Sequence, residues 1–219
     1  YTFKQELERL DIDLLPPNIN KSDVMFRVEE TADGDAVRYA LAAIKNVGEG
    51  AMKTIIDDRD KNGDYKDVSD LANRLDTKSI NKRQIENLIR SGTLDVLNPN
   101  RKLILEGVGA IVNHAGAAQQ ERESDQIGLF GDEESAVTNI TLPEISDWLE
   151  TDRLKEEFDA IGFYLSAHPL DSYGKALERL KISSYAQLEA ANVSGPVKLA
   201  GMVISKKERI SAKGNKYAF

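Results

Sequence analysis

Residues 41–56 read Leu-Ala-Ala-Ile-Lys-Asn-Val-Gly-Glu-Gly-Ala-Met-Lys-Thr-Ile-Ile. Gly48 and Gly50 separate two stretches whose apolar residues have helical spacing. We predict one helix from Arg38 to Lys45 and a second from Ala51 to Arg59, joined by a hairpin. We expect the two glycines to adopt backbone angles that side chains would forbid. The free amides at the start of the second helix would then face outward, where the helix dipole favours a phosphate oxygen.

This hairpin resembles a helix-hairpin-helix, a module that contacts the backbone of nucleic acid without reading its bases. In that interpretation the residues at the phosphates are Lys45, Val47, Gly48, Gly50 and Lys53. An ordinary pair of helices joined by a glycine turn would produce the same pattern. Contact with DNA is therefore one of two interpretations of this segment.

A second candidate half follows at residues 79–85, Ser-Ile-Asn-Lys-Arg-Gln-Ile, where Asn81 can cap a helix that runs through Arg90. Between residues 74 and 102 the chain carries seven basic and three acidic residues, a local net charge of +4. Concentrated positive charge is typical of a surface that contacts phosphates, and Lys82 and Arg83 are the candidates at the helix start. A solvated helix face is the alternative interpretation of these charges.

The composition limits the chemistry that the chain can perform. Its 219 residues carry a formal net charge of −8 and are 41% hydrophobic, which is typical of a globular protein. The chain has no cysteine and two histidines, so the sequence predicts no metal site. His168 precedes a proline, which indicates a structural role and not a catalytic one. No apolar run approaches the roughly 20 residues of a membrane span, and we expect a cytoplasmic protein without membrane contact.

Negative charge is concentrated between residues 119 and 159, where 13 acidic residues stand against three basic ones. We interpret these carboxylates as solvated surface, because their spacing places no metal-binding pair. One apolar island, Ile127-Gly-Leu-Phe130, lies inside this segment, where solvated neighbours cannot bury it. The island is a candidate for burial by a partner protein, or alternatively a loop fixed to its own domain.

The remaining chain is mostly helical by pattern until its last part. A short strand is predicted at Val24–Glu30, a long helix at Leu103–Arg122 and another helix at Asp147–Leu165. Beyond Pro196, apolar residues and a Lys-rich hairpin through Lys213–Asn215 indicate β structure. This basic tail could begin a barrel whose aromatic rings stack bases, or those rings could lie in its core.

Several stretches, in order along almost the whole chain, resemble the bacterial C-family replicative DNA polymerases, the family of the DNA polymerase III alpha subunit. They are residues 14–22 (Leu-Leu-Pro-Pro-Asn-Ile-Asn-Lys-Ser), 43–51 (Ala-Ile-Lys-Asn-Val-Gly-Glu-Gly-Ala), 81–89 (Asn-Lys-Arg-Gln-Ile-Glu-Asn-Leu-Ile), 91–95 (Ser-Gly-Thr-Leu-Asp), 157–171 and 199–203 (Leu-Ala-Gly-Met-Val). The resemblance implies the region that follows the polymerase fingers. The palm, with its aspartates and Mg²⁺, would lie before Tyr1, so no catalytic residue, metal ligand or cofactor is expected here.

The resemblance implies a mainly α fold in four parts. Residues 1–118 would form a helix-hairpin-helix domain with a small β element, and residues 119–145 an acidic loop with a clamp-binding motif. Residues 146–195 would form a helical connector, and residues 196–219 the first strands of an OB-fold β-barrel. We expect a piece of a longer protein, because the chain starts with tyrosine instead of methionine and stops in a predicted strand.

The resemblance also implies partners. Tandem helix-hairpin-helix elements would hold duplex DNA behind the active site, and an internal peptide would bind the sliding clamp, the beta subunit. That peptide consists of Gln126, Ile127, Gly128, Leu129 and Phe130. Gln126 would form a hydrogen bond at the mouth of the clamp pocket, while Leu129 and Phe130 would fill its apolar floor. Other subunits of the polymerase III holoenzyme are further expected partners.

One feature departs from the family pattern. The second hairpin has no Gly-x-Gly, so phosphate contact there would depend on Lys82 and Arg83. Two alternative functions stay open at this point. One is a stand-alone DNA-repair adaptor that uses the same hairpins, and the other is a helical spacer that binds no ligand.

Overall fold

The computed structural model describes residues 2–123, 140–183, 187–188, 195–203 and 206–218. The chain divides into two compact units, residues 1–166 and 167–219. The described elements of the first unit are α1 (Thr2–Arg9), β1 (Leu14–Leu15), β2 (Arg27–Thr31), β3 (Gly34–Arg38), a 3-10 turn (Leu41–Ala43), α2 (Glu49–Asn62), α3 (Val68–Arg74), α4 (Lys82–Arg90), α5 (Arg101–Glu106), α6 (Val108–Glu123) and α7 (Glu150–Ile161). The prediction of a mainly helical protein with a small β element is confirmed.

The small β element is a three-stranded sheet in the order β1-β3-β2. Strands β2 and β3 form an antiparallel hairpin that closes where Thr31 pairs with Gly34. Strand β1 pairs in parallel with β3, with Leu14 opposite Val37. The predicted strand at Val24–Glu30 is confirmed in its second half, since β2 begins at Arg27.

The helix predicted from Arg38 to Lys45 is wrong. Arg38 ends strand β3, and its guanidinium forms two hydrogen bonds of 2.7 Å with the Glu29 carboxylate across the hairpin. The amides of Leu41 and Ala42 donate to the carbonyls of Asp23 and Val24, 3.0 Å and 3.2 Å away, so they do not bond along a helix. Only a 3-10 turn remains in this segment, because tertiary hydrogen bonds take the backbone groups that a helix would need.

Helix α4 is formed as predicted. Asn81 accepts a hydrogen bond from the Gln84 amide, and the Gln84 side chain accepts one from the Asn81 amide, which completes a capping box. The apolar residues Ile85, Leu88 and Ile89 lie on the buried face of the helix. Burial of each contributes roughly 1.5–3 kcal/mol, so this face fixes α4 in the hydrophobic core.

The long helix predicted at Leu103–Arg122 is instead two helices that meet at Gly107. Helix α5 ends before this glycine and α6 begins after it. Leu142 packs directly on Gly107 and leaves no room for a Cβ there. The break therefore occurs where a segment of residues 140–149 crosses the helices.

Helix α7 contains a buried carboxylate, which corrects the interpretation of the acidic segment as solvated surface. Glu157 is 1% exposed. Its Oε1 accepts hydrogen bonds of 2.9 Å from the amides of Leu165 and Ser166, and its Oε2 accepts one of 2.8 Å from the Ser166 hydroxyl. Arg101 Nη1 lies 3.6 Å from the same carboxylate. Pairing of this kind is what makes a buried charge tolerable.

The second unit has its own small elements. They are a 3-10 turn (Asp171–Tyr173), α8 (Gly174–Arg179), β4 (Glu208–Ile210) and β5 (Lys216–Ala218). Strands β4 and β5 are antiparallel, and Gly214, with φ of 78°, lies in the turn between them. The predicted β-hairpin is therefore confirmed, while its membership of an OB-fold stays a prediction. Within the described part of the chain, no helix has the length and apolar character of a bilayer span.

The Glu29–Arg38 pair provides a test of what holds the sheet together. Hydrogen bonds from Arg38 lower the pKa of Glu29 from 4.5 to about 2. The folded protein therefore gains stability from this carboxylate above its unfolded-state pKa, and loses that gain as the pH falls from about 4.5 to about 2. We expect Glu29→Gln to lower the free energy of unfolding by about 2 kcal/mol at pH 7 and by much less at pH 2.5.

Urea titrations at pH 7, 4 and 2.5 measure this difference. Glu30→Gln is the matched control, because it removes the same charge from an exposed position of the same strand. An equal destabilisation by both variants at pH 7 would contradict the role of the ion pair.

Candidate nucleic-acid interface

The turn that precedes α2 owes its shape to an asparagine. Asn46 has φ of 59°, in the left-handed region that asparagine tolerates better than most residues. Gly48 has φ of −81° and ψ of 141°, which any residue can adopt. Gly50 is not among the described glycines with positive φ. The expectation that both glycines take angles forbidden to side chains is wrong.

The constraint at Gly48 is instead one of space. A Cβ at this position would lie 3.2 Å from Nε2 of Gln84, closer than ordinary van der Waals contact. Two hydrogen bonds restrain Gln84 at this position. Its side-chain Oε1 accepts a 2.8 Å hydrogen bond from the backbone N–H of Asn81, and its backbone N–H donates to Asn81 Oδ1 at 3.0 Å. The missing side chain at Gly48 therefore lets the start of α2 lie beside the start of α4.

The first turn of α2 presents free backbone amides. Helices leave their first amides without intrahelical partners, and Gly48, the N-cap, provides no side-chain hydrogen bond to them. A Cβ on Gly50 would meet nothing within 4 Å, so the surface next to this residue is open. A phosphate oxygen could therefore approach the amides closely, although the Glu49 carboxylate in the same turn adds a negative charge nearby.

The two predicted helix-hairpin-helix segments meet, through the turn before α2 and the exposed side of α4, at an open cleft of about 430 Å³. It is lined by Asn46, Lys82, Arg83, Glu86, Asn87, Arg90 and Asp159. Of these, the sequence had singled out Lys82 and Arg83. Asn46 is a cleft residue that was not predicted from the sequence, although a single asparagine before a Val-Gly pair is a recognisable left-handed turn signal. Arg90 and Asp159 come from distant parts of the chain, and no local signal could have placed them together.

The exposed cations near the starts of α2 and α4 have weak partners. Lys82 Nζ lies 3.8 Å from Glu86 one helical turn away. Lys53, on α2, pairs in the same way with Asp57 at 2.9 Å. Arg83 is exposed and forms no ion pair within the described residues. Exposed pairs of this spacing contribute only about 0.3–0.5 kcal/mol, so a phosphate can compete for these side chains.

Two of the predicted DNA-binding residues, Lys45 and Val47, make contacts that stabilise the fold. The Lys45 amide donates a 2.9 Å hydrogen bond to Ala160 O, and its Nζ lies 3.1 Å from Asp159 O at the end of α7. Val47 is 7% exposed and belongs to the hydrophobic core. The side chains of Lys45 and Val47 thus hold the hairpin in place, and their part in DNA binding stays a prediction.

The positive charge between residues 74 and 102 is partly neutralised in the fold. Arg74 Nη2 lies 2.7 Å from Asp58, and its Nη1 lies 3.2 Å from Asp70. Arg101 forms two 2.8 Å hydrogen bonds with Asp95. Local counting of charges therefore overstates the attraction that this surface has for phosphate.

The predicted clamp-binding residues Gln126, Ile127, Gly128, Leu129 and Phe130 lie outside the described residues. Their assignment stays a prediction from sequence. In the part of the chain that the structure describes, no group of three or more His, Asp or Glu side chains could hold a metal ion.

Comparison with known proteins gives two kinds of match. A family model for the helix-hairpin-helix motif matches residues 11–104, which confirms that prediction for the segment containing α2, α3 and α4. The second kind of match is to segments of larger proteins. The DNA polymerase III subunit alpha of Caulobacter vibrioides is 36% identical over 219 residues, 99% of this chain.

The same subunit of Neisseria meningitidis is 34% identical over 99% of the chain, and that of Escherichia coli is 33% identical over 96%. The chain spans only 18% to 19% of the length of these relatives. The resemblance to the DNA polymerase III alpha family is therefore confirmed, and the chain corresponds to a segment of about one fifth of such a subunit.

Proposed function

We propose that this chain binds the phosphate backbone of duplex DNA, without sequence preference, through the cleft between the turn before α2, helix α4 and the end of α7 and through the neighbouring start of α2. One observation carries the proposal: the close approach of Gly48 to Gln84 brings the uncapped start of α2 next to Lys82 and Arg83. Amides at a helix start and two exposed cations are complementary to an oxyanion. The family match to a helix-hairpin-helix motif over the same residues supports this assignment.

The proposed contact is with phosphates and not with bases. Backbone amides and flexible basic side chains recognise the negative charge that every nucleotide carries, and they contain no information about sequence. Binding of this kind releases counterions, so its affinity falls as salt rises. We assign the phosphate contacts to Gly50, Lys53, Lys82 and Arg83, with Lys45, Val47 and Gly48 as the residues that shape the site.

We further propose that the chain acts within a DNA-directed DNA polymerase and binds a sliding clamp. The similarity to DNA polymerase III alpha subunits along nearly the whole chain supports this over a stand-alone repair adaptor. The polymerase palm and its Mg²⁺ would then lie outside this chain, in a cytoplasmic holoenzyme with further subunits. In the clamp-binding proposal, Leu129 and Phe130 fill an apolar pocket on the clamp and Gln126 bonds at its edge.

The cations at the cleft give the first test. We expect Lys82→Ala with Arg83→Ala to lower duplex affinity and to reduce the slope of log affinity against log salt by up to about 1.8, since each lost phosphate contact removes about 0.9. Fluorescence anisotropy with a labelled duplex at several salt concentrations measures this slope.

The control for this pair is Lys61→Ala with Lys66→Ala. Both lysines are exposed near the far end of α2, which is about 20 Å from its start. This variant loses the same charge but should keep the slope. Equal slopes for the wild type and the Lys82/Arg83 variant would exclude these residues as phosphate contacts. A wild type whose affinity does not depend on salt would favour the alternative of a helical spacer that binds no ligand.

Gly50 gives a test in which stability and affinity change in opposite directions. Gly50→Ala should raise the free energy of unfolding by about 0.5–1 kcal/mol, because alanine suits a helix and its Cβ meets nothing in the protein. The same methyl group would obstruct a phosphate at the helix start and lower duplex affinity. Urea titration and duplex anisotropy measure the two effects.

Gly109→Ala is the matched control, because Gly109 is also an exposed helical glycine with open space at its Cβ. It should stabilise the protein without changing duplex affinity. If both variants leave affinity unchanged, the amides of α2 do not contact DNA.

The clamp proposal is tested by Leu129→Ala with Phe130→Ala. Loss of two apolar groups, worth roughly 1.5–3 kcal/mol each when buried, should reduce clamp binding by more than 100-fold. Surface plasmon resonance with an immobilised bacterial clamp measures this loss. Val137→Ala, an apolar exchange in the same acidic segment, should leave binding unchanged. Equal binding by the double variant and the wild type would refute the motif.

A further inference from the structure

The end of α7 lies at the same cleft as the start of α4. The exposed residue Asp159, in the last turn of α7, lines the cleft together with Lys82 and Arg83. Arg90 lines the cleft as well, and its Nε lies 3.1 Å from the Glu156 carboxylate of α7. This Nε is buried and lacks a hydrogen bond within the described structure, so charge alone attaches it to Glu156.

Helix α7 also engages Lys45. The Nζ of Lys45 lies 3.1 Å from Asp159 O and 5.9 Å from the centre of the Phe158 ring. The last carbonyls of a helix carry the negative end of its dipole, which attracts this ammonium group. The end of α7 therefore contacts Lys45 and Arg90 and lines the same cleft as Lys82 and Arg83.

The Asp159 carboxylate is not explained by the stability of α7. A negative charge in the last turn of a helix lies at the unfavourable end of the dipole. The hydrogen bond from Lys45 Nζ goes to the main-chain carbonyl of Asp159, which any residue at this position would provide. Within the described part of the chain, the Asp159 side chain lines the cleft together with Lys82 and Arg83.

We infer that Asp159 and Glu156 are affinity-determining residues, fixed counter-charges that hold DNA binding at this cleft below the strength that its cations alone would give. The inference rests on the proposed function. A phosphate that enters the cleft is attracted by Lys82 and Arg83 but repelled by Asp159, and Glu156 withholds Arg90 from it. Glu86 adds a further carboxylate, although its pairing with Lys82 offsets part of that charge.

The test compares two exchanges on one helix. Asp159→Asn should tighten duplex binding by about threefold to tenfold at low salt, and the gain should shrink as salt screens the carboxylate. Asp152→Asn changes the net charge equally at an exposed site about 10 Å along α7, and should leave affinity unchanged. Asp159→Ala is the second variant at the site, and thermal melts check that each chain is folded.

Two further measurements separate a local role from a general charge effect. Glu156→Gln releases Arg90 and should steepen the slope of log affinity against log salt by about 0.9, because a further phosphate contact becomes available. Asp159→Asn should tighten binding less in an Arg83→Ala background, since the carboxylate then faces one cation fewer.

The outcomes distinguish this inference from the proposed function. A wild type that binds duplex in a salt-dependent way, with Asp159→Asn no tighter than Asp152→Asn, overturns the counter-charge role and leaves DNA binding intact. A wild type without salt-dependent duplex binding overturns the proposed function and the inference together. Tighter binding by both Asp159 variants, with an unchanged Asp152 variant, supports the inference.

Discussion

The contact between Gly48 and Gln84 is the constraint on which the candidate site depends. Gln84 closes the capping box of α4 through its side-chain oxygen, and this fixes its side-chain nitrogen against the turn before α2. The absence of a side chain at residue 48 then lets the turn before α2 approach Gln84 at the start of α4 without displacing it. Capping and close packing, which are usually considered separately, act here through a single amide group. A side chain at position 48 would require the side-chain nitrogen of Gln84 to shift by a few tenths of an ångström, next to the oxygen that caps α4.

A second constraint, the buried pair of Arg101 and Glu157, joins α7 to the helices around α4. Both side chains are almost inaccessible, and each satisfies its remaining polar atoms with backbone or side-chain groups. A buried charge left without its partner would be strongly destabilising, so α7 cannot move away from this position at small cost. The fixed position of α7 explains why carboxylates at its end can act on the cleft with defined geometry. Packing thus sets the electrostatics of the site.

Local patterns in the sequence predicted what local physics determines. The capping of α4, its apolar face and the hairpin at residues 213–215 follow from short-range rules, and the structure contains all three. The segment after Arg38 was predicted as a helix because its apolar spacing fits one, but distant carbonyls take its amides. Glu157 was likewise counted as solvated. Only its neighbours in space, Arg101 and Ser166, distinguish it from the exposed acids around it. The cleft itself joins residues from three regions, which no local pattern contains.

The overall charge of −8 is compatible with DNA binding because electrostatic attraction in salt is local. At physiological ionic strength the screening length is about 8 Å, so a phosphate in the cleft responds to its nearest side chains more than to the distant acids. Few cations remain available there, since arginines of the surrounding helices are paired with carboxylates. A small number of phosphate contacts gives modest affinity and rapid release. In the proposed function, a second attachment keeps the chain on DNA, and the proposed tethering to a clamp would supply it by raising the local concentration while the weak backbone contacts permit sliding.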